Sequence, residues 1–521
     1  MNRLLIKIFC ICMLLGTAIL PSDSANAAGS GISKEAVDKY VLQLMDSVDL
    51  PGASIVLLKG DETYTKGYGE ADTGRKIPVT PDTLFEIGSN SKAFTAVGLL
   101  LLVERGLVDL EAPIKQYLPR LELQWEGGTA EPTVSHFLHQ TSGLGSDSVT
   151  LINPSIRDNA LQDTVHRLSE NPLWYQPGTQ FLYSTGNYDV LGAIIETVSG
   201  MSYESFMSAE VLQPLGLNQT FAGRKALPEG KAISQGYKPG LIGNRNYNAP
   251  IYRGNTPAGY ILSSANDMAR WLSLQMNPSA APPELRSAIA LAQIPDETVK
   301  ATVSPPYTVP FQYGGGWLIF TNGDHKHFSH GGNNPNYSSY VLFNPEQQVG
   351  VAVLGNRNTT ATYAICQGLY ALQQGLTPTA APLDTIDTVN LTGRVILAVC
   401  SVLCLWMIYV WIKDLRLIRN RVRMLRRAYS TLYVKSACLI ILAALIAGMA
   451  WYLPKLLFWG YPWRFIAVWA PFTIAPAMIL IAITGVLFPA LRLLKLWYPL
   501  SLEGQTDQQK QPRVIQEEVS L

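Results

Sequence analysis

A serine and a lysine three residues apart, Ser89 and Lys92, lie in the stretch Leu84-Phe85-Glu86-Ile87-Gly88-Ser89-Asn90-Ser91-Lys92-Ala93-Phe94-Thr95-Ala96. The residues after Gly88 read as a helix through Leu99 to Leu102 that stops at Gly106, where glycine takes the left-handed end position. On such a helix Ser89 and Lys92 share one face of the first turn. A hydroxyl beside an amine, at the positive end of a helix dipole, is the arrangement of an activated nucleophile. For the amine to act as a base, burial or its neighbours must bring it down from its usual pKa of about 10.4. S-x-x-K also arises by chance about once or twice in a chain of this length, commonly as a surface helix with an exposed lysine. This helix is apolar nearly all round, which places it in a core.

Two downstream segments supply the other groups such chemistry needs. Tyr183-Ser184-Thr185-Gly186-Asn187-Tyr188-Asp189 runs from an extended piece into a helix, and His330-Gly331-Gly332-Asn333-Asn334 lies on a strand whose glycines admit close backbone approach by a ligand. His325, His327 and His330 lie on that strand at alternate or near-alternate positions, but no further ligand cluster accompanies them, so neither a metal nor another cofactor is expected.

In order and spacing, Ser89-x-x-Lys92, Tyr183-Ser184-Thr185 and His330-Gly331-Gly332 resemble the three motifs of the serine beta-lactamase and penicillin-binding-protein superfamily, nearest the class C type, over roughly residues 32–375. The resemblance implies Ser89 as acylated nucleophile, Lys92 and Tyr183 sharing the general-base role, and the backbone amides of Ser89 and Asn333 as the oxyanion hole. Two positions depart from the pattern. Thr185 stands where the second motif usually has asparagine, and His330 replaces the lysine that opens the third motif in beta-lactamases. A permanent cation has become an imidazole, which favours a substrate whose recognised end is not a free carboxylate.

With Arg253-Gly254-Asn255-Thr256-Pro257-Ala258-Gly259-Tyr260, Asp267-Met268-Ala269-Arg270-Trp271-Leu272 and the Asn333-Asn334-Pro335-Asn336 run, the chain resembles the membrane-bound prodrug-activating peptidases of antibiotic and genotoxin pathways, the colibactin-maturation peptidase among them. That resemblance implies removal of an N-acyl-D-asparagine cap from a non-ribosomal peptide or polyketide precursor. It places Thr185, Asn255 and Asn333 in the D-asparagine pocket, with His330, Gly332 and Asn334 as further substrate-binding positions. It also implies a functional link to an exporter and a non-ribosomal synthetase, and leaves a homodimer open. The alternatives are a D,D-peptidase or esterase acting on cell-wall or small ester substrates, and a membrane receptor that binds cell wall or antibiotic without turnover. An intact serine, lysine and tyrosine argue against the receptor.

The elements that must position these residues read as an α+β domain over residues 31–375, an antiparallel sheet with flanking helices and a helical subdomain. Ala53-Ser54-Ile55-Val56-Leu57-Leu58 and Val349-Gly350-Val351-Ala352-Val353-Leu354 are expected as core strands from opposite ends of the domain. Residues 1–27 read as a cleavable secretory signal. Only Cys366 falls in the exported part, so no disulfide is expected there.

The chain has 521 residues, of which 48% are hydrophobic and 15% charged, with a net charge of +1. The near-zero charge gives no reason to expect nucleic acid, and the apolar excess is concentrated at the two ends. After a linker at 376–394, three transmembrane helices are expected at 395–412, 437–453 and 465–487. The loop 413–436 carries eight lysines and arginines against two in the next loop. The positive-inside rule puts that loop and the tail 488–521 in the cytoplasm, and the hydrolase domain outside a multi-pass cytoplasmic membrane whose lipid is a partner.

Overall fold

Alternating apolar side chains let the strand after Pro51 face two cores at once. In β1 (Gly52–Lys59), Ala53, Ile55 and Leu57 point into one apolar cluster, while Val56 and Leu58 point into another. The same alternation divides Val351 and Val353 from Ala352 and Leu354 in the last strand. The computed structural model describes residues 33–501 apart from 304–308, 324, 380, 382 and 458–459. The expected signal segment lies outside the described residues.

These residues form two compact units, one comprising the chain to Thr388 with Val468–Pro471 and the other the remainder. In the first unit α1 (Lys34–Ser47) precedes β1, β2 (Glu62–Asp72) and β3 (Ile77–Pro78). There follows a long helical region containing α2 (Ser91–Glu104), α3 (Gly186–Ser199), α4 (Ala265–Met276) and α5 (Pro283–Ala292). The chain then returns through β4 (Gln312–Tyr313), β5 (Leu318–Asn322), β6 (His325–Asn334), β7 (Tyr337–Asn344) and β8 (Val349–Gly355), and closes with α6 (Ala361–Gln373). The strands make one eight-stranded sheet in the order β4-β5-β6-β7-β8-β1-β2-β3, with antiparallel neighbours throughout. Ile55 pairs with Val353, so first and last long strands meet at its centre, as expected from the two apolar runs.

Residues of α1 and α6 share a cluster with one face of the sheet, and α2, α3, α4 and α5 share the cluster on the other. Every side chain from Ser91 to Leu102 is buried, which makes α2 the central helix that its all-round apolar sequence requires. Phe94 stacks on Trp271 of α4 with ring centroids 3.9 Å apart, and Gly106 follows the helix with φ +69°.

The second unit holds three helices long and apolar enough to cross a membrane: α7 (Thr385–Arg419), α8 (Ser430–Leu457) and α10 (Ile474–Trp497). The short α9 (Trp463–Trp469) lies between the last two. The helices run past the expected spans, α8 beginning inside the 413–436 loop, and two starts have a clear cause. The first long helix already begins inside the 376–394 linker, since apolarity marks the membrane portion and not where the backbone starts to coil. The third begins at Ile474 and not at 465, because Pro471 lacks the N–H to continue α9 and restrains the residue before it. Within this unit Thr473 Oγ1 donates to Asn390 Oδ1 at 2.8 Å, tying the start of α10 to α7.

Candidate active site

Two glycines bring the first and third motifs together. Gly88 has φ +53°, and a Cβ on it would stand 2.5 Å from the Asn333 nitrogen. A Cβ on Gly332 would stand 2.0 Å from the Ile87 carbonyl oxygen. Only bare backbone allows the turn Gly88–Asn90 to lie against β6 in this way. Ser339 of β7 fixes the approach, its hydroxyl donating to Ile87 O at 2.7 Å and accepting from Asn90 Nδ2 at 2.8 Å. Ser89 ends in a 3-10 turn that feeds α2, with the Asn333 amide beside it.

Lys92 is buried beneath Ser89. Its Nζ lies 3.0 Å from Ser89 Oγ, 2.7 Å from the Ala258 carbonyl and 3.4 Å from Thr185 Oγ1. Burial brings its pKa down to about 7, against the opposing charge of Asp189. A neutral amine has two hydrogens and one lone pair. With Ala258 O and Thr185 Oγ1 accepting the hydrogens, the lone pair is left facing the Ser89 hydroxyl.

Tyr183 closes the other side. Nζ of Lys92 lies 5.1 Å from its ring centroid, and its phenol interacts with Ser89. Burial holds this phenol above its usual range although Ser89 pulls it back, so it stays protonated and can pass a proton on. Thr185, half-buried, reaches Lys92, while Asn333, also half-buried and without a side-chain hydrogen bond among the described residues, sets its backbone nitrogen against Gly88.

His330 is enclosed. Its Nε2 lies 3.1 Å from the Tyr313 hydroxyl and its Nδ1 2.7 Å from the Gly331 carbonyl. Burial, reinforced by Lys92, pushes the imidazole down to about 3, so it is neutral at physiological pH. Gly332 serves the contact with Ile87 described above. Asn334 points into a separate network, its Nδ2 donating to Glu86 Oε2 at 2.7 Å and Gly259 O at 2.9 Å, while Arg224 Nε donates to Glu86 Oε1 at 3.0 Å. Asn255 lies behind Lys92, 7% exposed, with its Nδ2 facing the carboxylate of Asp189. The structure thus gathers the side chains of Ser89, Lys92, Tyr183 and Thr185 around one point, brings the Asn333 backbone nitrogen to the adjoining Gly88 turn, and engages the Asn255 and Asn334 side chains with other partners.

Sequence reasoning missed Tyr313, Glu86 and Asp189. For Asp189 a signal existed, because it stands four residues after Thr185 and so on the same helix face. Tyr313 reaches His330 only through the β4-β5-β6 pairing, which no local pattern announces.

The family model described as Beta-lactamase matches residues 37–375. The protein flp of Staphylococcus aureus is 30% identical over 464 residues, covering 86% of this chain and 88% of its own. That share exceeds what the hydrolase domain and the residues before it supply, so the likeness continues into the C-terminal helices. A beta-lactamase of Escherichia coli K12 is 28% identical over 67% of this chain and 94% of its own. Among solved structures, the octameric penicillin-binding protein homologue from Pyrococcus abyssi superposes with a TM-score of 0.58 at 28% identity, covering 66% of this chain and 78% of its own. Sequence, fold and relatives agree that this chain belongs to the beta-lactamase family of serine hydrolases, which also embraces penicillin-binding proteins.

Proposed function

We propose that the protein is a membrane-anchored serine peptidase that removes an N-acyl-D-asparagine cap from a non-ribosomal peptide or polyketide precursor through an acyl-enzyme. The observation that carries this reading is the buried, neutral His330 at the position of the family's substrate-binding lysine. Without a cation there, a free C-terminal carboxylate has no counter-charge, and a neutral carboxamide suits Thr185 and Asn333 better.

In the reaction Lys92 accepts the Ser89 proton as Oγ attacks the carbonyl carbon of the D-asparagine in the cap. The backbone amides of Ser89 and Asn333 hold the developing oxyanion. Lys92, with Tyr183 as relay, returns the proton to the leaving amine as the C–N bond breaks. Water then hydrolyses the ester by the same route. The three long apolar helices anchor the enzyme in the bilayer with the hydrolase domain on the outer side, and an exporter and a synthetase would deliver the precursor.

The test is a pair of N-myristoyl amides differing only in D- or L-asparagine, assayed beside an acyl-D-alanyl-D-alanine peptide. The D-asparagine compound is expected to be cleaved faster, and D-leucine in its place to lose about 10²-fold or more, because polar groups would be stranded. Equal rates for D- and L-asparagine, or preference for acyl-D-alanyl-D-alanine, would overturn the reading in favour of a cell-wall peptidase.

A further inference from the structure

Asp189 is a carboxyl group sealed beneath the catalytic lysine, and the steps above make no use of it. It lies on α3 with no exposure to solvent. Asn255 faces it, with Nδ2 at 3.0 Å from Oδ1 and 2.9 Å from Oδ2. That orientation is assigned from the hydrogen-bonding partners, an ionised Asp189 leaving an amide oxygen in the same place facing only acceptors. One N–H of the amide is thus shared between the two oxygens of the carboxyl, a contact that favours the ionised form.

One short segment serves both Asp189 and Lys92. The turn Arg253–Asn255 carries the amide, and the helical turn Thr256–Gly259 that follows carries the Ala258 carbonyl that takes Lys92 Nζ. The segment is clamped at both ends. Arg253 Nε donates to Glu204 Oε1 at 2.6 Å, Thr256 Oγ1 to Arg253 O at 2.8 Å, and Thr95 Oγ1 to Pro257 O at 2.6 Å. The carboxyl and the ammonium are therefore held by one rigid piece of chain.

A buried lysine that alternates between amine and ammonium needs a counter-charge for the ammonium, or the site must pay its full desolvation. We propose that Asp189, kept as a carboxylate by the Asn255 amide, is a positioning counter-ion that stabilises Lys92 while it carries the proton taken from Ser89. The Oγ–H proton moves to Lys92 Nζ as the Oγ–C bond forms. It leaves on the departing nitrogen or oxygen as the old bond to the carbonyl carbon breaks, and Lys92 is an amine again. Asp189 makes and breaks no bond.

The surrounding titratable groups leave this role to Asp189. Facing it are Lys92 from α2, Tyr203 from the turn after α3, and Tyr260 from the end of the clamped segment. Burial holds both phenols above their usual range, so they are neutral. Lys92 also faces Tyr183 and His330, neutral for the reasons given. Burial pushes Asp189 up, and the Lys92 charge draws it back.

The experiment uses the full chain in detergent and follows the rate at which a fluorophosphonate labels Ser89 from pH 5 to 10. This depends on Ser89 and Lys92 but not on the D-asparagine substrate, so the two proposals can fail separately. In the wild type the rate is expected to rise as Lys92 deprotonates. In Asp189→Asn the midpoint should move down by about one pH unit or more, since loss of an anion lowers a neighbouring ammonium's pKa. Asn255→Ala leaves the carboxyl in place but removes its donors, and should move the midpoint the same way by less. A structural role alone would lower melting temperature and labelling at every pH with the midpoint fixed. A fixed midpoint in both variants, or a wild type that is not labelled at any pH, would overturn the proposal.

Discussion

His330 and Tyr313 are joined at 3.1 Å, Nε2 to hydroxyl, while the other ring nitrogen meets the Gly331 carbonyl at 2.7 Å. The carbonyl can only accept, so Nδ1 carries the hydrogen and Nε2 accepts from the phenol, which is the neutral tautomer. Burial first and Lys92 second bring the folded pKa to about 3, from about 6.5 in the unfolded chain. Below pH 6.5 the unfolded chain therefore binds a proton that the native state refuses. Stability present above pH 6.5 is lost as pH falls towards 3, at up to about 1.4 kcal/mol per pH unit from this group. Denaturation midpoints between pH 6.5 and 4 should fall more steeply for the wild type than for His330→Gln. Parallel slopes would show that the native imidazole takes up a proton.

Lys92 sets the activity profile. With its pKa at about 7, the amine is the major form above that pH, so kcat/KM should climb through neutrality and level off. Lys92→Met should abolish the climb and lower the rate by about 10²–10⁴-fold. Ser89→Ala should remove turnover while leaving the melting temperature near that of the wild type. A Ser89→Ala protein that still turns over substrate would end the assignment.

Gly88 and Gly106 separate backbone strain from catalysis. Both have positive φ, +53° and +69°, but a Cβ at Gly88 meets Asn333 and Gly332, whereas one at Gly106 meets nothing within 4 Å. Each alanine substitution should cost about 1 kcal/mol of stability for the backbone conformation. Only Gly88→Ala should also reduce kcat, by about 10²–10³-fold, because it pushes the two amides apart. Paired melting and kcat measurements check this, and equal kcat loss in both variants would refute it.

Membrane orientation is testable with reporters. Alkaline phosphatase or fluorescent fusions at Asn420, in the arginine-rich loop, and at Gly460, between α8 and α9, should report opposite compartments, with Asn420 inside. The same compartment for both sites would mean that α8 does not span.

Where sequence sufficed, one residue's neighbours in the chain were also its neighbours in space. Ile55 and Leu57 alternate with Val56 and Leu58, and Ser89 and Lys92 are one helical turn apart, so the core strand and the nucleophile pair were legible. Asn255 shows the opposite. Its motif placed it near the site, yet whether its amide faces substrate or Asp189 depends on α3, more than sixty residues earlier. Of Thr185, Asn255 and Asn333, only Thr185 and Asn333 are therefore left with partly exposed side chains. The start of α10 was misplaced because hydropathy averages across Pro471, where the backbone does not.

The meeting of β1 with β8 also dictates an order of assembly. Gly52 N donates to Asn356 Oδ1 at 2.8 Å, across 304 positions of chain. As the polypeptide is synthesised, β1 and β2 can pair as a hairpin early, but the other edge of β1, with Ile55 and Leu57, must wait for residues 349–355. An unpaired apolar edge of this kind invites association with other chains until the late strand covers it. The same late docking carries Asn333 to Gly88, so a chain cut short before β6 holds its serine and lysine without the strand that completes the site. The site thus needs the chain as far as the last strand of the sheet, shortly before Thr385 opens the first long apolar helix.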